Sequence, residues 1–416
     1  MLMKKIMSLV VATVLILGLT GSVLAEQETY RVGMLLPLTG PSASGGQDAK
    51  KGVEMAVDYI NADGGIKGKK LEMIYCDAND ADSGIAETTR LIEVEKVQLV
   101  AGTYASAVSF AASTIAEQQK IVFYEMASPS ADLTKRGYQY YFRLNPSAFD
   151  EGAYAVEFLV GCAEKLGTTE KDIRIAVIGE DSSYGSSICE GAVAKLKELG
   201  LEPVVYETYS RQVTDMSSLI MKLINSNCDA VISGSILVDC TLFYRQAYEL
   251  GLEVKAIVGN GAGFGSTKYY DTFGQLAEYT MCTNYTIENS PIDNAPELRK
   301  FYADYRQRYN QDPVNNHLVS QVAQGVMILG KILNSAEDIY SPDSIREAFL
   351  SIDIPSGTMI NGWGAKFADI NAPEPGQNMA TGNVIVCQWQ NGELWQVYPV
   401  PSEGIEIVLP APPFGG

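Results

Sequence analysis

The first indication of the fold of this chain is the segment Arg31-Val32-Gly33-Met34-Leu35-Leu36-Pro37. A short apolar run that ends at a proline is typical of a strand buried on both faces. The turn Thr39-Gly40-Pro41 follows. Apolar residues then recur at the i, i+3, i+4 and i+7 spacing that forms one face of a helix, at Val53, Ala56, Val57 and Ile60. The segment therefore predicts a buried strand, a turn and a helix that packs against the strand.

The same alternation of strand and helix continues along the chain. Further strands of the first series are predicted at residues 71–75, 97–101 and 121–124. A second series of similar size runs from about Asp150 to residue 258, and three helices and two short strands, 384–389 and 394–398, follow it. Strands that alternate with helices form parallel sheets covered by helices. The sequence thus predicts an α/β protein with two doubly wound parallel-sheet units.

The first 25 residues have the pattern of an export signal. Lys4 and Lys5 precede an apolar run from Ile6 to Leu19, and small residues at Val23 and Ala25 form a cleavage site. The alternative is a membrane anchor, but about 20 apolar residues are normally needed to span a bilayer. We therefore expect cleavage after Ala25 and a soluble product in the periplasm or outside the cell.

Composition excludes several classes of function. The formal net charge of −19 argues against binding to nucleic acid, because like charges repel. A single histidine, His317, argues against histidine-rich metal sites, and the seven cysteines form no CxxC pair. The sequence lacks GxxxxGK[ST], HExxH and GxSxG, and the glycine-rich segment 259–265 misses the dinucleotide fingerprint. We expect no cofactor, no metal and no catalytic residue, and interpret His317 as a capping or packing residue.

Several segments, in order, resemble one known family. The first is Val32–Pro41, followed by Asn61–Lys69, Ala101–Ser106, Asp181–Gly185 and Gly259–Gly265. Together they resemble the periplasmic substrate-binding proteins of branched-chain amino acid ABC transporters, which are type I periplasmic binding proteins. The resemblance implies two lobes joined by a three-segment hinge, with a ligand cleft between them.

The same resemblance implies that both lobes are discontinuous in sequence. It places residues 26–146 and 278–350 in the first, N-terminal lobe. It places residues 147–277 and 351–416 in the second, C-terminal lobe. Residues 1–25 are the signal peptide.

Ser106 is the main candidate for holding a ligand. It lies between a predicted strand end and a helix start, where its hydroxyl, free backbone N–H groups and the positive end of the helix dipole can hold a carboxylate. The alternative is an ordinary helix cap, which a serine would also provide. The resemblance favours the binding role and adds seven ligand-contacting residues in the same cleft: Tyr104, Ala105, Ala127, Ser128, Tyr184, Asp239 and Gly261. Tyr184 would close over the ligand from the second lobe.

The chain departs from the family at the positions that select the ligand. Pro129 stands where a threonine is common, and Gly45 stands where many relatives carry an aromatic residue. The acid that takes the ligand ammonium aligns near Gly261, which leaves Glu125 and Asp239 as candidate counter-charges. The two glycines would enlarge the pocket. The ligand is therefore expected to be a bulkier amino acid or a carboxylate without an amine, such as an aromatic acid.

The resemblance implies a solute-binding protein that delivers a small ligand to the permease of an ABC importer. We expect a monomer. A ligand sensor for a membrane receptor is an alternative that the sequence cannot separate from import, since both need a closing cleft. An enzyme on a doubly wound fold is the less favoured alternative, because the catalytic motifs are missing.

Overall fold

The computed structural model describes residues 28–291, 297–314, 316–412 and residue 414. Strands and helices alternate through most of this range. The strands are β1 (Thr29–Leu36), β2 (Lys70–Asp77), β3 (Leu99–Gly102), β4 (Val122–Glu125), β5 (Tyr141–Arg143), β6 (Ile175–Glu180), β7 (Val205–Tyr209), β8 (Ala230–Gly234), β9 (Ala256–Asn260), β10 (Met281–Asn284), β11 (Ile385–Gln390) and β12 (Glu393–Tyr398). The helices are α1 (Ala43–Ala62), α2 (Ala81–Glu93), α3 (Ser106–Gln118), α4 (Ala148–Gly161), α5 (Ser183–Glu198), α6 (Ser217–Ser226), α7 (Leu237–Glu249), α8 (Thr267–Phe273), α9 (Leu298–Tyr309), α10 (Asn316–Ser335) and α11 (Pro342–Ser351).

The first sheet has five parallel strands in the order β2-β1-β3-β4-β5. Every residue of β3 and β4 is buried, because helices cover both faces of the sheet. This burial is why these strands are short continuous apolar runs rather than alternating ones. Helix α1 packs against α10 on one face, and α2 packs against α3 on the other.

The second sheet has seven strands in the order β12-β11-β10-β9-β8-β6-β7. The strands from β7 to β10 are parallel, and the hairpin β11–β12 adds two antiparallel strands at one edge. Asn391 and Gly392 join the hairpin, and both have positive φ, at 55° and 83°. Asn-Gly suits a two-residue turn of this kind. The prediction of two doubly wound α/β lobes is therefore confirmed.

The lobe boundaries in the structure differ from those expected from the sequence. Strand β10 lies in the second sheet, so the chain is still in the second lobe at Asn284 and has not returned to the first lobe at residue 278. Residues 352–384 pack on the first lobe rather than the second, since Trp363 and Phe367 share its core. The Phe367 ring packs edge-on against Phe142, at 5.5 Å between centroids. We propose boundaries near residues 146, 285 and 384.

The two lobes touch one another in this structure, so the cleft is closed. The Thr267 N–H, in the second lobe, donates to the Val314 carbonyl at 3.0 Å. The Val314 N–H in turn donates to Asp48 of helix α1 at 2.7 Å.

The seven cysteines are all free thiols. In the described ranges, no helix is long and apolar enough to cross a membrane.

Candidate functional site

A cavity lies between the two lobes, at the carboxyl ends of strands from both sheets. It encloses about 690 Å³ together with its mouth. The first sheet contributes residues that follow β3 and β4, and the second contributes residues that follow or end β6, β9 and β10. Ligands of doubly wound proteins bind at this edge of the sheet. Six of the eight predicted ligand-binding residues line the cavity: Tyr104, Ala105, Ser106, Ala127, Tyr184 and Gly261.

Ser106 is the first residue of helix α3. Ala105, the residue before it, has no side chain that could cap the helix. The Val108 and Ser109 N–H groups donate back to the Ala105 carbonyl, which leaves those of Ser106 and Ala107 without an acceptor among the described residues. The Ser106 side chain is buried and accepts a hydrogen bond from the Ser130 N–H at 3.2 Å. Its hydroxyl proton therefore remains available for an anion in the cavity.

Tyr104 forms the wall next to Ser106. A Cβ atom on Gly45 would lie 3.0 Å from the Tyr104 ring, so the glycine makes room for this tyrosine. The space expected to enlarge the pocket at Gly45 is thus filled by a side chain of the protein itself. Burial raises the pKa of Tyr104, so its hydroxyl stays protonated.

Gly261 makes room for His317 in the same way. A Cβ atom on Gly261 would lie 2.7 Å from Cε1 of His317. The His317 ring lines the cavity and packs edge-on against Tyr285, at 5.7 Å between ring centroids. Burial lowers the pKa of His317 to about 3, so the imidazole is neutral at pH 7. The packing role expected for His317 fits these contacts, but the residue also faces the cavity.

Ser128 lies beside the cavity rather than in its lining. Its hydroxyl is 2.8 Å from the Thr103 hydroxyl, and its N–H donates to Glu125 at 2.8 Å. Glu125 also accepts the Thr103 and Ala127 N–H groups, each at 2.8 Å. Burial raises the pKa of Glu125, and these hydrogen bonds oppose the rise. Both residues therefore hold the loop after β4, and Ala127 and Pro129 are the loop residues that reach the cavity.

The Asp239 carboxylate also accepts hydrogen bonds from nearby residues of its own lobe. It is in the first turn of helix α7, where one carboxylate oxygen accepts the Ile236 N–H at 3.1 Å. The other oxygen accepts the Tyr209 hydroxyl at 2.7 Å. Burial raises the pKa of Asp239 to about 6, while the Tyr209 hydrogen bond opposes the rise. Asp239 does not line the cavity, so the expectation of a direct ligand contact does not match its position.

Tyr184 enters the cavity from the second lobe, at the start of helix α5. Ser182 caps this helix by accepting the Tyr184 N–H at 3.3 Å. Glu180, at the end of β6, fixes the turn by accepting the Ser182 N–H at 2.7 Å and the Gly185 N–H at 3.1 Å. The Tyr184 ring is therefore held on a rigid strand-to-helix turn opposite the Ser106 lobe. Burial raises the pKa of Tyr184 well above its usual value.

Glu151, which was not among the expected ligand-binding residues, is a buried acid that lines the cavity. Its side chain is 3% exposed. One carboxylate oxygen accepts the Tyr285 hydroxyl at 2.6 Å, and the other is 3.5 Å from the Thr283 hydroxyl. Burial raises the pKa of Glu151 to about 7, and these two hydrogen bonds oppose the rise.

A signal for Glu151 was present in the sequence. Helix α4 begins at Ala148, whereas the apolar residues alone predict a helix around Ala155–Leu166. With the earlier start, Glu151 shares a helix face with Ala155, Phe158 and Leu159, all of them buried. An acid in the apolar stripe of a helix is unusual, because its charge is costly to bury unless it has a partner. Arg211 also lines the cavity and was missed, since it lies in an irregular loop after β7.

The family of the chain follows from comparison with known proteins. The model of the periplasmic binding protein family matches residues 29–392. A Leu/Ile/Val-binding protein homolog 7 of Brucella suis biovar 1 (strain 1330) is 34% identical over 382 residues, which cover 91% of this chain and 94% of the relative. The chain belongs to the periplasmic binding protein family. It is a solute-binding protein of the ABC-transporter type rather than an enzyme, and the family implies an extracytoplasmic location.

Solved structures agree with this fold. The branched-chain amino acid transporter substrate-binding protein LivJ of Streptococcus pneumoniae, in complex with isoleucine, superposes with a TM-score of 0.73 and 20% identity, covering 92% of this chain and 100% of LivJ. A solute-binding protein of an ABC transporter from Rhodopseudomonas palustris BisB5, in complex with 3,4-dihydroxybenzoic acid, has a TM-score of 0.75 and 18% identity, covering 91% and 98%. At this identity the likeness concerns the fold alone.

Proposed function

We propose that this protein captures a small carboxylate-bearing solute, an amino acid or a related acid, and delivers it to the permease of an ABC importer. The observation that carries the proposal is the start of helix α3 inside the interlobe cavity. Ser106, the first residue of this helix, lines the cavity, and among the described residues no acceptor takes the N–H groups of Ser106 and Ala107. A helix N-terminus binds anions through these donors and through its dipole. Arg211, on the opposite lobe, adds a positive charge to the lining.

Two ligand classes are consistent with this anion site. One is the α-amino acids, in keeping with the Leu/Ile/Val-binding homologues and the isoleucine-bound LivJ. The other is the amine-free acids, in keeping with the 3,4-dihydroxybenzoic acid bound by the Rhodopseudomonas protein. Both bring a carboxylate that would lie against Ser106, and they differ in whether a cationic group must also be accommodated.

A thermal-shift screen tests the proposal. The twenty amino acids and a panel of aliphatic and aromatic carboxylates are added singly to the purified mature protein. A ligand that binds only the folded state raises the unfolding midpoint, and at a hundred times its Kd it stabilises by about 2.7 kcal/mol. We expect such a shift from at least one carboxylate. No shift from any of these compounds would contradict the proposed ligand class.

We further propose that the exported protein is cleaved after Ala25 and acts as a monomer. The supporting observation is the export pattern of residues 1–25, with its charged start, apolar run and small-residue site. Intact mass of protein recovered from an exporting host should equal that of residues 26–416. Light scattering should give the mass of one chain. A product that retains residues 1–25 would contradict the cleavage site.

A further inference from the structure

Four buried acids lie in the cavity lining or beside it: Glu125, Glu151, Glu180 and Asp239. They differ in how many of their hydrogen-bond acceptor sites are already used. One oxygen of Glu125 accepts the Ala127 N–H, after β4, and the other accepts the Thr103 N–H, after β3. The two oxygens of Asp239 accept from Ile236 and Tyr209. Glu180 accepts two N–H groups and the Ser182 hydroxyl. These three carboxylates stabilise turns and helix starts, and each is needed where it lies.

Glu151 is different, because its carboxylate has acceptor capacity to spare. It accepts one short hydrogen bond, from Tyr285, and one long one, from Thr283. A carboxylate offers about four acceptor sites. Among the described residues, no lysine or arginine pairs with Glu151, although Glu157 on the same helix pairs with Lys195 at 2.8 Å. A buried acid without a cation is costly, and the cavity is where a cation could reach it.

In the family that the chain resembles, the acid that binds the ligand ammonium aligns near Gly261, and in this protein another side chain occupies the space at that position. His317 fills the space over Gly261 and is neutral at pH 7. It can therefore neither replace the missing carboxylate nor neutralise Glu151. Resting on the proposed function above, we propose that Glu151 is the counter-charge for a ligand ammonium, so that the protein selects α-amino acids over carboxylates that lack an amine.

The groups around Glu151 allow its protonation to be followed. Tyr184 and Tyr285 have pKa values raised by burial, and His317 has one lowered to about 3, so none of them changes charge between pH 6 and 8. The acid Asp150 adjoins it on α4, and the charge of the buried Arg143 also acts on Tyr285 and Asp150. Because burial raises the pKa of Glu151 to about 7, an arriving ammonium should drive a proton off this carboxyl.

The test uses two pairs of probes: L-leucine with 4-methylpentanoate, and L-phenylalanine with 3-phenylpropanoate. Each pair shares its carboxylate and side chain and differs in the amine. Titration calorimetry is run on the wild type, on Glu151→Gln, and on Glu157→Gln as the control on an exposed face of the same helix. We expect Glu151→Gln to weaken binding of the amino acid by about tenfold to a hundredfold, as for a hydrogen bond to a charged group. Binding of its amine-free partner should change little.

Calorimetry at pH 6 in buffers of different ionisation enthalpy supplies a second readout. The wild type should release up to one proton on binding the amino acid, and Glu151→Gln should release markedly less. A merely structural role for Glu151 would not produce this difference. The proposal is overturned if the wild type binds an amino acid and Glu151→Gln binds it equally well. It is also overturned if Glu151→Gln lowers the affinity for the amino acid and for its amine-free partner by the same factor. If the wild type binds only the amine-free acids, the role of Glu151 as a counter-charge is overturned, but the proposed carboxylate site is not.

Discussion

The Ser130 hydroxyl, in the loop after β4 of the first lobe, lies 3.2 Å from the Ser187 hydroxyl on helix α5 of the second lobe. The Ser187 oxygen also accepts the Ala131 N–H at 3.1 Å. The same loop reaches Ser106, which accepts the Ser130 N–H. One short segment thus connects the proposed carboxylate site to the contact between the lobes. Because these bonds join the two lobes in the closed form, they favour closure.

Ser187→Ala removes both bonds across the cleft and should destabilise the closed form. A neutral hydrogen bond contributes about 0.5–1.5 kcal/mol, so the loss of two costs about 1–3 kcal/mol and affinity for a cleft ligand should fall by up to roughly fivefold to 150-fold. The measurement is calorimetry with L-leucine. Ser186→Ala is the matched control, since no hydrogen bond of that side chain crosses the cleft in the described part of the chain. Equal affinity for Ser187→Ala and wild type would show that the contact does not hold the lobes together.

Tyr184 should contribute to closure through its ring. It lines the cavity from the second lobe, opposite Ser106, and ligand touching both lobes favours the closed state by its differential affinity alone. Small-angle scattering should show that the wild type becomes more compact with saturating L-leucine. Tyr184→Ala should compact less at equal occupancy, while Tyr184→Phe, which keeps the ring, should behave like wild type. Absence of compaction in wild type with bound ligand would contradict the closing mechanism.

Much of the fold and part of the site could be predicted from sequence, because the signals are local. A strand followed by a turn and an amphipathic helix appears in residues 31–60 alone. Ser106 and Tyr184 each start a helix directly after a strand, which places them at the ligand-binding edge of a sheet. What could not be predicted depends on residues distant in sequence. The space at Gly45 is filled by Tyr104, and that at Gly261 by His317, and neither pairing has a signature along the chain.

The packing of residues 352–384 was not predictable for the same reason. This segment has little regular structure, and its place in the first lobe depends on Trp363 and Phe367 meeting aromatic residues far away in sequence. Glu151 was missed at a helix boundary, where apolar periodicity is weakest. The apolar pattern predicts a start for α4 that is seven residues too late, and the predicted helix therefore leaves out Glu151, the acid on its buried face.

Ser106→Ala should weaken binding of amino acids and of amine-free acids by the same factor. Both ligand classes carry the carboxylate that Ser106 is proposed to hold. A hydrogen bond to a charged group contributes about 1.5–3 kcal/mol, so calorimetry should show a loss of about tenfold to a hundredfold for L-leucine and for any amine-free acid that binds. Ser106→Thr retains a hydroxyl and serves as the control. Unchanged affinity in Ser106→Ala would remove this residue from the site, and a loss confined to amino acids would contradict its role as a carboxylate ligand.

The stability of the ligand-free protein should depend on pH through Glu151. Burial raises its pKa from 4.5 to about 7, so between these values the folded state binds a proton that the unfolded state does not. Stability from this group is therefore fully present below about pH 4.5 and is lost as pH rises through 7. One pKa unit corresponds to about 1.4 kcal/mol, so the loss between pH 5 and pH 8 should be roughly 2–3 kcal/mol.

Urea unfolding of the ligand-free protein at pH 5 and pH 8 measures this loss. Glu151→Gln, which cannot ionise, should lose less stability between the two values than wild type does, by that amount. Glu157→Gln should match the wild type, because its carboxylate is exposed and paired with Lys195. Burial raises the pKa of Asp239 to about 6, so this residue also lowers stability as the pH rises. Its contribution is the same in all three proteins and cancels when their pH dependences are compared. Equal pH dependence in wild type and Glu151→Gln would mean that Glu151 is already ionised in the folded, ligand-free protein at pH 5, and no proton would then be released when an ammonium binds.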